Sequence, residues 1–382
     1  MRRGVIALGA LGALGVIGCG AQASLHVGVG APGYLAAFAF LTSTVLGGSL
    51  LLMVAELSSA SWFVVLRRLA EALAGVTPLV AVAFVPLALA LPALYPWARS
   101  FDGLDETLRR SLEHARGWMN PPLFLGRSAL IIVLWIALAE GLRRASLGED
   151  AGQGEGSKRR LTRLSALGVP LVAFTGSLAI FDWFMSALPG FTSNILGLYV
   201  LCGGFASAMG VVCVAFHVAR KRALFPSRVA HYHTHALGRM LLMSVCLWAY
   251  IAVSQLVIVW SANLPKEAGF YLARYRGPFR ALAIGLVFAH FLLPFLLLLS
   301  RWLKQRSLAL ALLGGLIVLM HAVDMYWLLA PVSPRAASFV DCAPFLLLGA
   351  VAASFGLWRF SRAPRVPTQA AELERSLAYE SP

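Results

Sequence analysis

Residues 308–330 read LALALLGGLIVLMHAVDMYWLLA, and this stretch decides the fold. It stays apolar for longer than the about 20 residues that a helix needs to cross a bilayer. Only His321 and Asp324 interrupt it with ionisable groups. Further stretches of spanning length lie near residues 4–23, 34–57, 76–94, 123–142, 164–185, 195–218, 237–262, 279–300 and 338–360. The pattern predicts an all-α integral membrane protein of about ten transmembrane helices.

Composition agrees. The 382 residues are 59% hydrophobic and 13% charged, and the mean hydropathy is +0.77. A soluble globular chain runs about 45–50% apolar and about 25% charged. Too little polar surface is present to cover a water-soluble particle, which excludes a soluble enzyme. The net charge of +15 does not point to nucleic acid, because the basic residues sit in short loops between apolar runs. That is the pattern that orients membrane helices.

Counting by side with the N-terminus in the cytoplasm places 22 of the 32 Lys and Arg in inner loops and termini and 10 in outer loops. Both termini are therefore expected in the cytoplasm. Trp97, Trp118, Trp260 and Trp327 fall near the outer interface, and Trp62, Trp302 and Trp358 near the inner one. The Gly- and charge-rich stretch 148–156 reads as a flexible linker. Val16-Ile17-Gly18-Cys19 resembles a lipoprotein cleavage box, but so loose a tetrad arises easily in Gly- and Ala-rich helices, and 4–23 is read as a short first span.

An internal repeat is visible. The fifth span ends Phe181-Asp182-Trp183 and the ninth ends Asp324-Met325-Tyr326-Trp327; the fourth and eighth open at Pro122 to Arg127 and Pro278 to Arg280. Two parallel four-helix bundles with a helix at each end would produce this. The expected divisions are residues 1–33 (first helix and outer loop), 34–185 and 186–330 (the two bundles), 331–361 (last helix) and 362–382 (cytoplasmic tail).

An ionisable group inside a span costs a few kcal/mol on insertion scales, so each is a functional candidate. Asp182 lies near the outer end of the fifth span, on one stripe with Thr175 and Ser186. It reads either as a proton acceptor or quinone partner, or as a tether for the short loop that follows. His321 and Asp324, three apart, share a helix face. A carboxylate beside an imidazole can orient it and relay a proton, as quinol oxidation requires; the alternative is a mutually satisfied pair that pins helices. Tyr326 and Trp327 are neighbours that could stack on a ligand or face lipid. His290 sits at similar depth to His321, so the two could also hold a haem b.

Glu56 and Glu140 approach the inner face. They are candidates for the mouth of a proton path, although neutralising Arg67, Arg68, Arg143 or Arg144 is the favoured reading. His231, His233 and His235 alternate without acidic or cysteine ligands and read as a solvated inner loop. Cys19, Cys202, Cys213, Cys246 and Cys342 form no CxxC or CxxCH motif, so covalent haem, a Cys-ligated iron–sulfur cluster and a thiol–disulfide motif are unsupported. No P-loop, dinucleotide fingerprint, HExxH or nucleophile elbow is present in credible context.

Several stretches together resemble one family. They are Trp62-Phe63-Val64-Val65-Leu66-Arg67-Arg68-Leu69-Ala70-Glu71, Leu94-Tyr95-Pro96-Trp97-Ala98, and Phe181-Asp182-Trp183-Phe184-Met185-Ser186. His235-Ala236-Leu237-Gly238-Arg239 leads into the most specific run, from Trp248 through Ser254-Gln255 and Trp260-Ser261-Ala262-Asn263-Leu264-Pro265-Lys266 to Glu267. Leu293-Pro294 to Ser300-Arg301 and Asp324-Met325-Tyr326-Trp327 complete the set. The chain is similar, over its second to tenth helices, to the second quinone-binding-type membrane subunit of alternative complex III. That bacterial quinol:cytochrome c oxidoreductase is related through its membrane subunits to polysulfide reductase.

The resemblance implies an inner-membrane subunit without haem or metal, with a quinone or quinol (menaquinone or ubiquinone) as the candidate ligand. It implies as partners a sister quinone-binding membrane subunit, an iron–sulfur/molybdopterin-like periplasmic subunit, multihaem and monohaem cytochromes c, and a terminal oxidase as a further candidate. The sister subunit is then the main quinol oxidation site and this one a route for protons. Asp182, His321 and Asp324 would handle quinol or protons, supported by Arg127, His290 and Gln255, with Glu56 and Glu140 on the inner half. Partners would dock on residues 95–122 and 262–278. The short N-terminal stretch and the linker after Arg144 depart from the family pattern. Rivals of other classes are a secondary transporter, which an inverted repeat would mark, and a structural anchor for a periplasmic redox module.

Overall fold

In apolar surroundings every backbone N–H and C=O must find a partner within the chain, which leaves helices as the local solution. The computed structural model describes residues 31–101, 106–152, 154–188, 191–226, 228–229, 231–329, 339–367 and 372–380. These are predominantly helical, with no strand among them. The expected first span at 4–23, with Cys19, lies outside the described residues.

Helix α1 covers Ala31–Leu57. A 3-10 turn at Ser61–Leu66 leads into α2 (Arg67–Ala74) and α3 (Thr77–Leu89). The short α4 (Glu106–Ala115) is followed by the long pair α5 (Pro121–Asp150) and α6 (Gly154–Trp183). Next come α7 (Leu196–Lys221), α8 (His231–Ala262) and the short α9 (Pro265–Arg274). One continuous span joins α10 (Gly277–Gly285), a π-helical segment (Leu286–Leu292) and α11 (Leu293–Leu299). The chain ends with α12 (Arg301–Gln305), α13 (Ser307–Leu329), α14 (Ala343–Ser361) and α15 (Leu373–Leu377).

Among the described residues nine helical segments are long and apolar enough to cross a membrane. By length and composition the chain is a multi-pass membrane protein. The segments alternate in direction. The turns near residues 58–60, 151–153, 222–230 and 300–306 therefore share one face with the chain's C-terminal segment, called here the tail face. The turns near 90–120, 188–195 and 263–276 lie on the opposite, loop face.

Local signals set the helix ends. Asn120 precedes α5 in extended conformation, and its side chain accepts from the Leu123 N–H at 3.1 Å, satisfying one of the donors that a helix start leaves free. Prolines occupy the first turns of α5, α9, α10 and α14, where their missing N–H is no loss.

Helices α1 and α7 form the centre, packed on each other and on α6, α8 and α13. Their approach is closer than side chains allow. A Cβ on Gly47 would lie 2.3 Å from the Gly204 carbonyl oxygen, and one on Gly204 would lie 2.2 Å from that of Ser43. Small residues here let backbones touch, the usual device where lipid removes the hydrophobic drive between helices. The small-residue face of α7 is thus used within the chain. Around Trp183 gathers an aromatic core, with Phe38 at 5.3 Å and Phe84 at 5.4 Å between ring centroids.

Four expectations need correction. The stretch 148–156 is not a flexible linker: α5 runs through Asp150, and Glu149 pairs with Arg67 at 2.5 Å while Asp150 pairs with Arg68. Two of the three acidic residues read as linker charge, Glu149 and Asp150, are the counter-ions of a buried basic pair, while Glu155 pairs with exposed Arg159. The histidines are not a solvated loop either. They open α8, where His233 and His235 are buried and only His231 is exposed. The polar tail folds back: α15 packs Leu373 and Leu377 against the core, and Ser376 O accepts from His233 Nε2 at 2.8 Å. Trp97 and Trp327, read as interface residues, are only 6% and 7% exposed.

Candidate functional site

The deepest polar cluster is built from five segments. Helix α13 contributes His321 and Asp324, α7 contributes Tyr199, α8 contributes Trp248, α1 contributes Ser43, and the π segment contributes His290. Asp324 is fully buried and accepts from the Tyr199 hydroxyl at 2.5 Å and from Trp248 Nε1 at 3.1 Å. His321 Nε2 lies 2.8 Å from Ser43 Oγ. With the Ser43 proton on the Ala39 carbonyl, 2.7 Å away, the imidazole is the donor in that contact. His321 Nδ1 is then a lone-pair acceptor, and among the described residues it has no partner. A Cβ on Gly203 would stand 2.8 Å from that nitrogen, so glycine leaves the space beside it open.

His290 faces His321 with ring centroids 6.4 Å apart, and its ring lies against Trp248 at 3.9 Å. Neither of its nitrogens has a hydrogen-bond partner among the described residues. Its placement follows from local sequence. Pro294 has no N–H to offer the His290 carbonyl four residues earlier, and the turn before it widens into the π segment. Such bulges recur at functional sites. His321 and Asp324 share a face as their spacing requires, yet they do not bond each other. Each reaches a different helix.

Towards the loop face the polar line continues. Gln255 accepts from Ser193 at 2.5 Å and lies near Tyr271. Burial pushes the Tyr271 phenol up, with Tyr275 and Asp324 adding to the shift. Arg274 is 2% exposed and bonds the carbonyls of Phe270 at 2.8 Å, Trp327 at 3.2 Å and Leu328 at 2.5 Å. It closes the C-terminus of α13, where a cation meets the negative end of the helix dipole. Burial lowers its pKa to about 9.

Asp182 stands apart from this cluster. It is 1% exposed and takes Arg127 Nε at 2.9 Å and Trp118 Nε1 at 3.2 Å. Arg127 also bonds the Trp118 carbonyl at 3.0 Å and lies over its ring at 4.1 Å. Nearby, Ser186 donates to the Asp182 carbonyl and receives Trp97 Nε1 at 3.2 Å. Both carboxylate oxygens are engaged, and the group ties the α4–α5 connection to the end of α6. Thr175, on the same stripe, accepts instead from Trp135 at 2.8 Å.

On the tail face Glu56 pairs with Lys158 at 2.8 Å and Arg67 at 3.7 Å, and Glu140 pairs with Arg359. Arg67 is among the partners the sequence suggested for Glu56; Arg359 is not among those suggested for Glu140. A small cleft lined by Glu56, Arg67, Glu71 and Lys158 is covered on one side by Glu372 of the tail. Tyr326 donates to Asp341 at 2.9 Å. Sequence reasoning did not single out Tyr199, Ser43, Tyr271 or Arg274. Only a hydroxyl in the apolar run of α7 could have marked Tyr199, and Arg274 fell in an expected loop.

Among the described residues no three His, Cys, Asp or Glu side chains converge as metal ligands. The chain matches no protein-family model and no curated protein.

Proposed function

We propose that the chain is an integral membrane subunit of a respiratory quinol:cytochrome c oxidoreductase of the alternative complex III type, in which the Asp324–His321–His290 cluster takes up protons. Its full form has about ten spans, arranged as two four-helix bundles (34–185 and 186–330) with a helix at each end. Both termini lie in the cytoplasm of a bacterium and the partners are those of that complex. The motifs from Trp248 to Glu267 and at Asp324 to Trp327 support the assignment.

One observation carries the site: a carboxylate with no solvent access sits beside two imidazoles, three of whose four ring nitrogens have no partner among the described residues. Unpaired polar atoms in an apolar interior cost about 1–3 kcal/mol each and are the kind of strain a structure keeps for use. Quinol oxidation releases two protons with two electrons. Asp324 can accept one, held in place by Tyr199 and Trp248, and the free lone pair of His321 can take or pass another. Gln255 and Tyr271 extend the line towards the loop face.

A second reading, a structural anchor for a redox module, is favoured by the closed pairing of Asp182 with Arg127. The test of the assignment is purification from the native membrane. Multihaem cytochrome c accompanying the chain, with no haem absorbance in the isolated chain, is the expected result. A chain that purifies without any redox partner would refute it.

A further inference from the structure

Several basic residues of the tail face are ion-paired and others are not. Arg67, Arg68, Lys158, Arg228 and Arg359 each pair with a carboxylate. Arg239, Arg301 and Lys304 pair with none among the described residues. They are nevertheless neighbours. Helix α12 packs on α8, and Arg239 and Arg301 are close enough to push the Lys304 ammonium down, after burial as the main cause. His235 feels the same three charges. Lys304 is nine-tenths buried, and its stem lies across the helix backbone: a Cβ on Gly238 would meet Lys304 Cγ at 2.8 Å. Three cations are thus held together with no counter-charge among the described residues, at a cost that an anion would relieve.

The surface above them is apolar. Arg239 ends an exposed stripe on α8 that continues through Met243 and Leu247, and on α11, which packs against α8, Leu296 and Leu299 are more than half exposed. Trp302, 57% exposed, stands beside the cluster with Arg306 over its ring at 3.6 Å, the posture of an aromatic at a membrane interface. A cationic floor under two apolar helix faces complements the shape and charge of an anionic phospholipid.

We propose that Arg239, Arg301 and Lys304, at the tail-face end of the groove between α8 and α11, bind the phosphate of one anionic phospholipid whose acyl chains lie along that groove. Basic pockets between transmembrane helices are suited to such headgroups. The site is separate from the buried carboxylate cluster and does not depend on the role proposed for it.

Native mass spectrometry of the full chain, released from nanodiscs of phosphatidylcholine with or without phosphatidylglycerol, tests this. The expected result is one retained phosphatidylglycerol per chain and no equally retained phosphatidylcholine. Substituting Arg239→Gln and Arg301→Gln, both exposed and without packing roles, should weaken retention by roughly fivefold for each charge removed; adding Lys304→Gln should bring the loss to on the order of a hundredfold. Removing two other exposed charges of the same face, by Arg160→Gln and Arg163→Gln, should leave it unchanged. Circular dichroism on each variant establishes that it is folded. Equal retention by the two double variants would overturn the proposal, as would equal retention of phosphatidylcholine. Displacement of the lipid by millimolar inorganic phosphate would assign the site to free phosphate and overturn it as well.

Discussion

The Tyr199 hydroxyl donates to the Asp324 carboxylate at 2.5 Å, and both residues are buried. Helix α7 thereby holds the one carboxylate of α13 in the core, with Trp248 of α8 as the second donor. A buried carboxylate held by two neutral donors, with no cation against it among the described residues, is expensive to maintain. Ion-paired Asp182 is the contrast within the same chain.

Replacing Tyr199 with Phe removes one of those two donors and keeps the ring. The loss in stability should be about 1–3 kcal/mol, the penalty for a buried polar group left short of a partner. Thermal unfolding in detergent reads it. An unchanged midpoint would mean that Asp324 is already neutral and self-sufficient.

Gly203 keeps the space beside His321 Nδ1 open. Gly203→Ala places a methyl group 2.7 Å from His321 Cε1 and 2.8 Å from Nδ1, which forces the ring to move. The expected outcome is a changed histidine resonance in nitrogen NMR of labelled protein, with helix content intact. If the spectrum is unaltered, the open space is not as described.

Arg68 bonds Glu71 and Ser146 and pairs with Asp150, all in the buried part of the tail face. Arg68→Ala removes the cation that Glu71 and Asp150 share and should cost about 3–5 kcal/mol. Replacing Glu71 and Asp150 along with Arg68, by apolar residues of similar volume, should recover most of that loss. Failure of the triple variant to recover would assign the role to packing.

Much of this was legible in the sequence, for identifiable reasons. Spans announce themselves because lipid tolerates so few charges, and Asp324 and His321 stand out for the same reason. Contacts between helices do not announce themselves. The 148–156 stretch looks disordered by composition, yet Glu149 and Asp150 are fixed by Arg67 and Arg68, more than 80 positions earlier. Likewise the spacing of His321 and Asp324 suggested a mutual pair, whereas Ser43 and Tyr199, on two other helices, take them apart. Asp182 was placed correctly near a span end, and which of its two readings applies depended on Arg127, 55 positions away.

Lys304 gives the chain a pH signature. Burial, then Arg239 and Arg301, lower its affinity for a proton below the ordinary value of 10.5. At pH below the folded value both folded and unfolded chains carry the proton. Between the folded value and 10.5 only the unfolded chain still binds it, so stability rises with pH across that window. Comparing thermal midpoints of wild type and Lys304→Met in lipid-free detergent isolates the effect. The wild type should gain on the variant as pH rises through the window, and parallel profiles would show that Lys304 does not contribute.

The most direct test of the central claim is turnover by the assembled complex with Asp324→Asn beside Asp182→Asn. Asparagine keeps the shape of each side chain and removes the titratable group. The account predicts that Asp324→Asn lowers quinol oxidation per assembled complex by about a hundredfold or more, the scale of a lost proton acceptor, while Asp182→Asn lowers the yield of complex and leaves turnover per complex intact. Wild-type turnover with Asp324→Asn in a normally assembled complex would contradict it.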